Sequence, residues 1–210
     1  MTTQRPLTIA VPKGRILAKL GPLFRKAGLD DEALHADDRR LLREDKTGTI
    51  RYLFLKPDDV PTYVDYGAAD LGICGRDVLL ERRYDLYEPV DLNIGRCKLV
   101  VAAPIGAGPL PAVPRVATKF ARVAAEYFLA RGTQVEIISV GGSVELAPLV
   151  GLADLIVDLV ETGTTLKENH LEVREVIREV SSVLVANRAS YKLRHDVIQP
   201  LIEKLRAAVR

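Results

Sequence analysis

The stretch "DLVETGTTL" at 158–166 gathers two carboxylates, one glycine and three hydroxyls directly behind the apolar run "GLADLIV". Two chemistries suit that set. Thr, Gly and Asp are ordinary turn residues. They also build an anion cradle, in which backbone N–H groups and short hydroxyl side chains converge on a phosphate. A second candidate set is cationic. "KGR" at 13–15 follows the apolar "LTIAV" without a gap, which puts Lys13 and Arg15 at a strand's carboxyl end. There they serve an anion or simply solvate the start of a helix. Arg39, Arg40, Arg43, Lys46 and Arg51 form a basic segment, but interspersed acids also fit a solvated face. Ser143 and Glu145 open a helix after another strand, as caps or as ligand contacts. Gly72 and Gly75 either turn the chain or let a nucleotide approach the backbone.

Other chemistries have no residues to carry them. The sequence contains neither GxxxxGK[ST] nor GxGxxG, so neither phosphate-binding signature applies. No Ser-His-Asp or Cys-His nucleophile set is legible, and His35, His170 and His195 fall in polar segments and read as surface residues. Cys74 and Cys97 lie far apart in apolar stretches and read as buried free thiols, with no spacing for a zinc site. A site here works by binding and charge.

The elements that must position these residues are legible from periodicity. Short buried strands are expected at 7–11, 50–56, 70–74, 97–104, 115–118, 135–140 and 154–159, with one more in "SSVLVANRAS". Helical patterns follow several of them. One after residue 13 kinks at Pro22, and another is capped by Asp59 and ended by Gly67. Further helices cover 119–132, a short stretch capped by Ser143, and the C-terminus with a bend at Pro200. The Gly/Pro-rich 105–114 reads as a linker. Strands alternating with helices imply α/β architecture with mostly parallel sheets, whose ligands bind beyond the carboxyl ends of the strands. The 160–165 loop lies at such an end.

At 210 residues the chain can form one large domain or two lobes. It is 48% hydrophobic and 28% charged, which excludes a disordered chain. A net charge of +2 gives no global drive toward nucleic acid or a membrane surface. The opening residues lack a signal peptide's apolar core, and no run approaches the roughly 18 apolar residues of a membrane span. A cytoplasmic protein is expected.

"IVDLVETGTTL" resembles the phosphoribosyl-diphosphate loop of phosphoribosyltransferases. With "PKGRIL" at 12–17, "DVPTYVDYGAADLGICGRDVL" at 59–79, "GRCKLVVAAP" at 95–104, "GGSVELAPLVGLADLIVDLVETGTTLKEN" at 141–169 and "VANRAS" at 185–190, the chain resembles the short form of ATP phosphoribosyltransferase from residue 7 to about 205. The resemblance implies two lobes like those of periplasmic binding proteins, with the active site in the cleft between them. Residues 1–95 and 183–210 would form the first lobe, on the ATP and cation side. Residues 96–182 would form the second, which carries the phosphoribosyl loop. It further implies transfer of a phosphoribosyl group to N1 of ATP at the opening of histidine biosynthesis, with Mg²⁺ carried mainly by the diphosphate rather than by a protein metal site. The partner implied is a histidyl-tRNA-synthetase-like regulatory subunit, around a homodimer within a hetero-oligomer.

Residue by residue, the resemblance puts Thr162, Gly163, Thr164 and Thr165 on the 5′-phosphate, and Asp158 or Glu161 on the ribose hydroxyls or its developing positive charge. Lys13, Arg15 and Arg39 would meet the diphosphate and triphosphate, with Arg15 and Arg39 in the catalytic role. Arg39 rests on the looser match "DRRLL", where Arg40 is the alternative. Gly72, Ser143 and Glu145 are further candidate contacts. Lys56 stands where an arginine is expected, keeping the charge but losing the bidentate fork. His170 stands where a glycine is expected. Two competing functions are a binding module of the same fold and a phosphoribosyltransferase with another acceptor base. Dependence on Mg²⁺ with phosphoribosyl diphosphate separates the first from an enzyme.

Overall fold

The computed structural model describes residues 5–35 and 39–210; residues 1–4, the start of the expected first lobe, and 36–38 lie outside them. In chain order the elements are β1 (Leu7–Pro12), α1 (Arg15–Lys26), α2 (Glu32–His35), β2 (Leu42–Glu44), β3 (Ile50–Leu55), α3 (Val60–Asp65), β4 (Leu71–Gly75), α4 (Arg76–Arg82), β5 (Tyr87–Asp91), β6 (Cys97–Pro104), β7 (Arg115–Thr118), α5 (Ala121–Leu129), β8 (Glu136–Ser139), α6 (Leu146–Leu149), β9 (Leu155–Val160), α7 (Thr164–Glu168), β10 (Leu171–Val180), β11 (Ser182–Ala186), α8 (Arg188–Leu193) and α9 (His195–Val209). They divide into two compact units. The first holds the residues up to Leu79 with Arg83–Gly95 and Ser181–Arg210; the second holds Leu80–Arg82 and Arg96–Val180.

In the first unit the strand order is β2-β3-β1-β4-β11-β5. Side chains alternate across this sheet, so each face meets its own helices. Ile9, Val11, Phe54 and Ile73 pack against Leu20 and Phe24 of α1 and Ile198, Ile202 and Leu205 of α9. On the opposite face Ala10, Cys74, Val183 and Val185 meet Val60 and Val64 of α3. Cys74 is fully buried, and burial pushes its thiol up, so it is inert core. Cys97, expected to be buried, is only half-buried and forms no disulfide.

The second unit has the order β10-β6-β9-β7-β8. Leu99, Val101, Val116, Leu155 and Val157 face α5 through Phe120, Ala124 and Phe128. Val100, Ala102, Ala117 and Ile156 face the other way, against Val144, Ala147 and Leu166.

The expectation of mostly parallel sheets holds only at their centres. β3-β1-β4 and β9-β7-β8 pair parallel, whereas β2, β11 and β5, and β6 and β10, pair antiparallel. Both sheets are therefore mixed. A five-residue turn joins β2 to β3, and an antiparallel hairpin is what so short a connection permits. β10 has no counterpart in the sequence reading. Register shifts at Val173/Glu175 and Val176/Arg178 break its alternation, so "LEVREVIREV" does not show a period of two.

Helix starts also differ from expectation. Asp59 and Ser143 make no side-chain cap to α3 or α6; α6 begins at Leu146, and Ser143 has a φ of 48°. Pro22 and Pro200 lie inside α1 and α9, and the C-terminal helical pattern is also broken at Arg194, between α8 and α9.

Candidate functional site

In the second unit, three parallel strands deliver their carboxyl ends side by side. β9 opens into Glu161–Gly163 and α7, β7 ends at Thr118, and β8 leads to Gly141–Glu145. The connection from β7 runs to β8, while that from β9 runs to β10 on the far side of the sheet. The β7/β9 boundary is therefore the point where the connections diverge, where open α/β sheets take ligands. Buried Thr118 fixes this edge: its Oγ1 donates to the Val157 carbonyl at 2.6 Å and accepts from the Phe120 N–H at 2.8 Å.

The "ETGTT" loop is shaped for its position. Gly163 sits at φ 80°, ψ 3°, a left-handed conformation that glycine adopts without penalty, and it caps α7. Thr162 and Thr164 place their hydroxyls 3.0 Å apart, and Thr162, Thr164 and Thr165 are exposed. The loop thus presents three hydroxyls and the first turn of a helix to solvent. Asp158 lies four residues before Thr162, and its Oδ1 accepts from the Leu159 N–H at 2.8 Å. Burial is the main influence on its carboxyl and pushes it above the ordinary aspartate value; the Leu159 N–H opposes this, nearby Glu145 adds to it and Lys119 opposes it.

The structure therefore gathers Asp158, Glu145 and Thr162–Thr165 at one sheet edge, with Ser143 exposed on the loop that carries Glu145. Glu161 is exposed beside Thr162. Lys119 is the residue the sequence reading missed. It follows a buried strand as directly as Lys13 follows β1, and that signal could have found it. His170 has a φ of 53°, which explains why a glycine suits its position.

In the first unit, the connection from β1 runs toward β2 and that from β4 toward β5, so the divergence falls between β1 and β4. Lys13 and Arg15 stand there, both exposed. Between them Gly14 adopts φ 87°, ψ −145°, a region open essentially to glycine alone, although a Cβ there would meet nothing within 4 Å. The Lys13 N–H continues the β1–β3 pairing by donating to the Leu55 carbonyl at 2.8 Å. Exposed Lys56 follows β3, and exposed Arg39 precedes β2, whose first residues lie beside the end of β3 because the two strands run antiparallel. Arg43 is structural: it donates to the Ala33 carbonyl and lies 4.4 Å over the Phe54 ring.

Gly72, a candidate contact from the sequence, has a packing reason to be glycine. It is buried inside β4, and a Cβ there would fall 2.6 Å from Val64 Cγ2 and 2.9 Å from Val60 Cγ1. The close approach that demands glycine is that of α3. Among the described residues, no group of three or more His, Cys, Asp or Glu could hold a metal ion, and no helix is long and apolar enough to cross a membrane.

A pair of mixed α/β units with hydroxyl, carboxylate and cationic groups at the carboxyl ends of parallel strands places the chain in the class of periplasmic-binding-protein-like α/β folds. The fold likeness is direct: the periplasmic aliphatic sulphonate binding protein SsuA from Escherichia coli superposes with a TM-score of 0.61 at 14% identity, over 99% of this chain and 73% of that one. The ATP phosphoribosyltransferase family model matches residues 56–207. An ATP phosphoribosyltransferase from Sorangium cellulosum is 66% identical over 97% of this chain and 96% of its own, and one from Caldanaerobacter subterraneus subsp. tengcongensis is 48% identical over 97% of each. The Thermotoga maritima ATP phosphoribosyl transferase (HisG:HisZ) complex contains a chain with a TM-score of 0.83 at 40% identity, covering 97% of this chain and 98% of that one. The chain belongs to the ATP phosphoribosyltransferase family.

Proposed function

We propose that the chain transfers the phosphoribosyl group of 5-phosphoribosyl 1-diphosphate to N1 of ATP, giving phosphoribosyl-ATP and pyrophosphate in the first step of histidine biosynthesis. The observation that carries this reading is the threonine loop at the end of β9, beside Asp158 and Glu145, in a chain of this family over nearly its whole length. N1 of adenine attacks C1 of the ribose with its lone pair, and the C1–oxygen bond breaks with its electron pair leaving on pyrophosphate. N1 bears no proton, so no general base is needed, and the rate comes from positioning and preorganised charge.

Thr162, Gly163, Thr164 and Thr165 receive the 5′-phosphate. Asp158, Glu161 and Glu145 accept from the ribose hydroxyls and face the positive charge that develops on the sugar. Ser143 contributes at the same edge. Lys13, Arg15 and Arg39 neutralise the leaving diphosphate and the triphosphate, a role that suits cations at a strand's carboxyl end. Mg²⁺, which keeps several waters, would be held mainly by the diphosphate and would supply charge neutralisation there. The oxygen donors at the β9 edge suit a hard ion of that kind.

The chain acts in the cytoplasm, as a homodimer within a hetero-oligomer that includes a histidyl-tRNA-synthetase-like regulatory subunit. The likeness to a chain of the HisG:HisZ complex supports that partner. A mass spectrum of the nucleotides after incubation with ATP, phosphoribosyl diphosphate and Mg²⁺, with and without that subunit, tests the activity. Expected is a species equal to ATP plus one phosphoribosyl group, lost with Thr162→Tyr, which crowds the loop. No product under either condition would refute the reading and leave a solute-binding module of the same fold.

A further inference from the structure

Asp158 belongs to β9, and Lys119 directly follows the neighbouring parallel strand β7. The register pairs Thr118, the last residue of β7, with Val157, so the chain leaves β7 at Lys119 beside Asp158. Parity sets the direction of Asp158. Val116, Val157 and Phe120 belong to the core under α5, whereas Ala117 and Ile156 belong to the opposite core. Alternation along β9 then puts Asp158 on that opposite face, the face of α6 and α7, where the charge of Lys119 reaches it. The two hydrogen bonds of Thr118 fix the backbone on which Lys119 rides.

On that face two carboxylates meet one cation. Glu145 approaches from the loop before α6, and its field disfavours the Asp158 anion, while that of Lys119 favours it. On its other side Asp158 pairs with Val100 of β6, which brings no charge. α6 is apolar at Leu146–Leu149, and Lys167 and Glu168 of α7 are exposed. A half-buried aspartate next to another acid tends to take up a proton. A protonated Asp158 could not accept fully from a ribose hydroxyl or oppose a cationic sugar.

We propose that Lys119 is the positioning residue of this pair, its ammonium holding the Asp158 carboxylate charged and aimed into the ribose position against the repulsion of Glu145. The inference rests on the phosphoribosyl reading of the β9 loop and extends it to a residue that no phosphate motif contains. Lys119 does not touch the reacting atoms. It sets the state of the group that does.

The test uses the full chain carrying ¹³C-labelled aspartate, with Asp158 assigned through Asp158→Asn. In Lys119→Met, which keeps most of the side chain's length without its charge, the titration midpoint of the Asp158 carboxyl is expected to rise. Lys119→Arg should restore it. Calorimetric affinity for Mg²⁺-phosphoribosyl diphosphate at neutral pH should fall roughly tenfold in Lys119→Met, the scale of one charge-assisted interaction, and recover in Lys119→Arg. In an Asp158→Asn background Lys119→Met should cost little more, because its effect passes through that carboxylate. A wild-type chain that binds the diphosphate, with Lys119→Met matching it in affinity and midpoint, would overturn the role alone. A wild-type chain that binds no phosphoribosyl diphosphate would overturn the reading of the site and this role with it.

Discussion

Two aspartates, one in each unit, show what separates an architectural carboxylate from a functional one. Asp70 precedes β4 at the amino end of the first sheet and is fully buried. It accepts from the Thr8 N–H at 2.9 Å, from Arg194 at 2.8 Å and from both terminal nitrogens of Arg5. Arg194 in turn donates to the carbonyls of Pro6 and Arg5. The break between α8 and α9 is thereby tied to the chain's first strand. Asp158 lies at the carboxyl end of β9, accepts from its own neighbour's N–H and has a second acid for company. One aspartate spends its acceptor capacity on the fold, and the other, in the proposed reading, keeps it for a ligand. Position follows the same division, since parallel sheets bind at carboxyl ends.

The largest effect should come from the architectural member. Asp70→Asn leaves the guanidinium of Arg194, only 11% exposed, without its anion. Breaking a buried pair on one side costs about 3–5 kcal/mol. Chemical denaturation should show that loss, and a change below about 1 kcal/mol would mean that Asp70 acts as a surface pair does.

Asp158→Asn should do the reverse. It removes a desolvated charge facing Glu145, and the amide oxygen can still accept from Leu159, so the melting temperature of the ligand-free chain should rise. Phosphoribosyl transfer should fall about a hundredfold, the cost of losing a charged group aimed at the reacting sugar. A variant that is both less active and less stable would place Asp158 with Asp70 among the architectural residues.

The two sheet edges differ in how they hold their groups, which sharpens the contrast. At the β1 end the backbone does it, through the glycine-only conformation of Gly14 between Lys13 and Arg15. Gly14→Ala has room for its methyl group, so its cost of about 1–3 kcal/mol would be conformational. Activity should fall further than stability because both cations shift. At the β9 end side chains and register do the holding. Gly163→Ala, in the milder left-handed region, should cost about 1–2 kcal/mol. Equal losses at the two positions, measured by thermal melts and turnover, would erase the distinction.

How much of this was legible follows from the range of the interactions involved. The β9 loop, the cations after β1 and most central strands are encoded by neighbouring residues, and local pattern exposes them. Lys119 has a local signal, a lysine directly after a buried strand, but its nearness to Asp158 becomes visible only through the Thr118–Val157 register, a pairing that spans 39 residues. Asp70 looks like an ordinary residue before a strand, because its arginines lie 65 and 124 positions away. The packing demand on Gly72 is invisible until α3 is seen above it. β10 hides because its bulges spoil the alternation that marks a strand. Ser143 looks like a cap, but its left-handed backbone sets it apart from the helix it should have started.

The smallest expected effect is a pH dependence of opposite sign in the two units. Burial works against the Asp91 anion, yet the Ser181 hydroxyl, the Asn93 N–H and Arg76 hold that carboxyl below the ordinary value of 3.8. Asp45 is held low in the same way, against burial, by the Ile50 N–H and the hydroxyls of Thr47 and Thr49. Both belong to the first unit, and the stability they contribute is present above 3.8 and lost as pH falls through their lowered values. Asp158 in the second unit is raised, so its contribution is fullest below 3.8 and fades as pH rises through its folded value. On acidification from about pH 5 to 3, amides of β3 and β5 should therefore lose exchange protection before those of β9. Asp158→Asn should remove the advantage of β9, since an amide cannot take up the proton. If β9 instead loses protection together with β3 and β5 in the wild-type chain, the Asp158 carboxyl is not raised, and the contrast between a satisfied and a reserved carboxylate loses its electrostatic half.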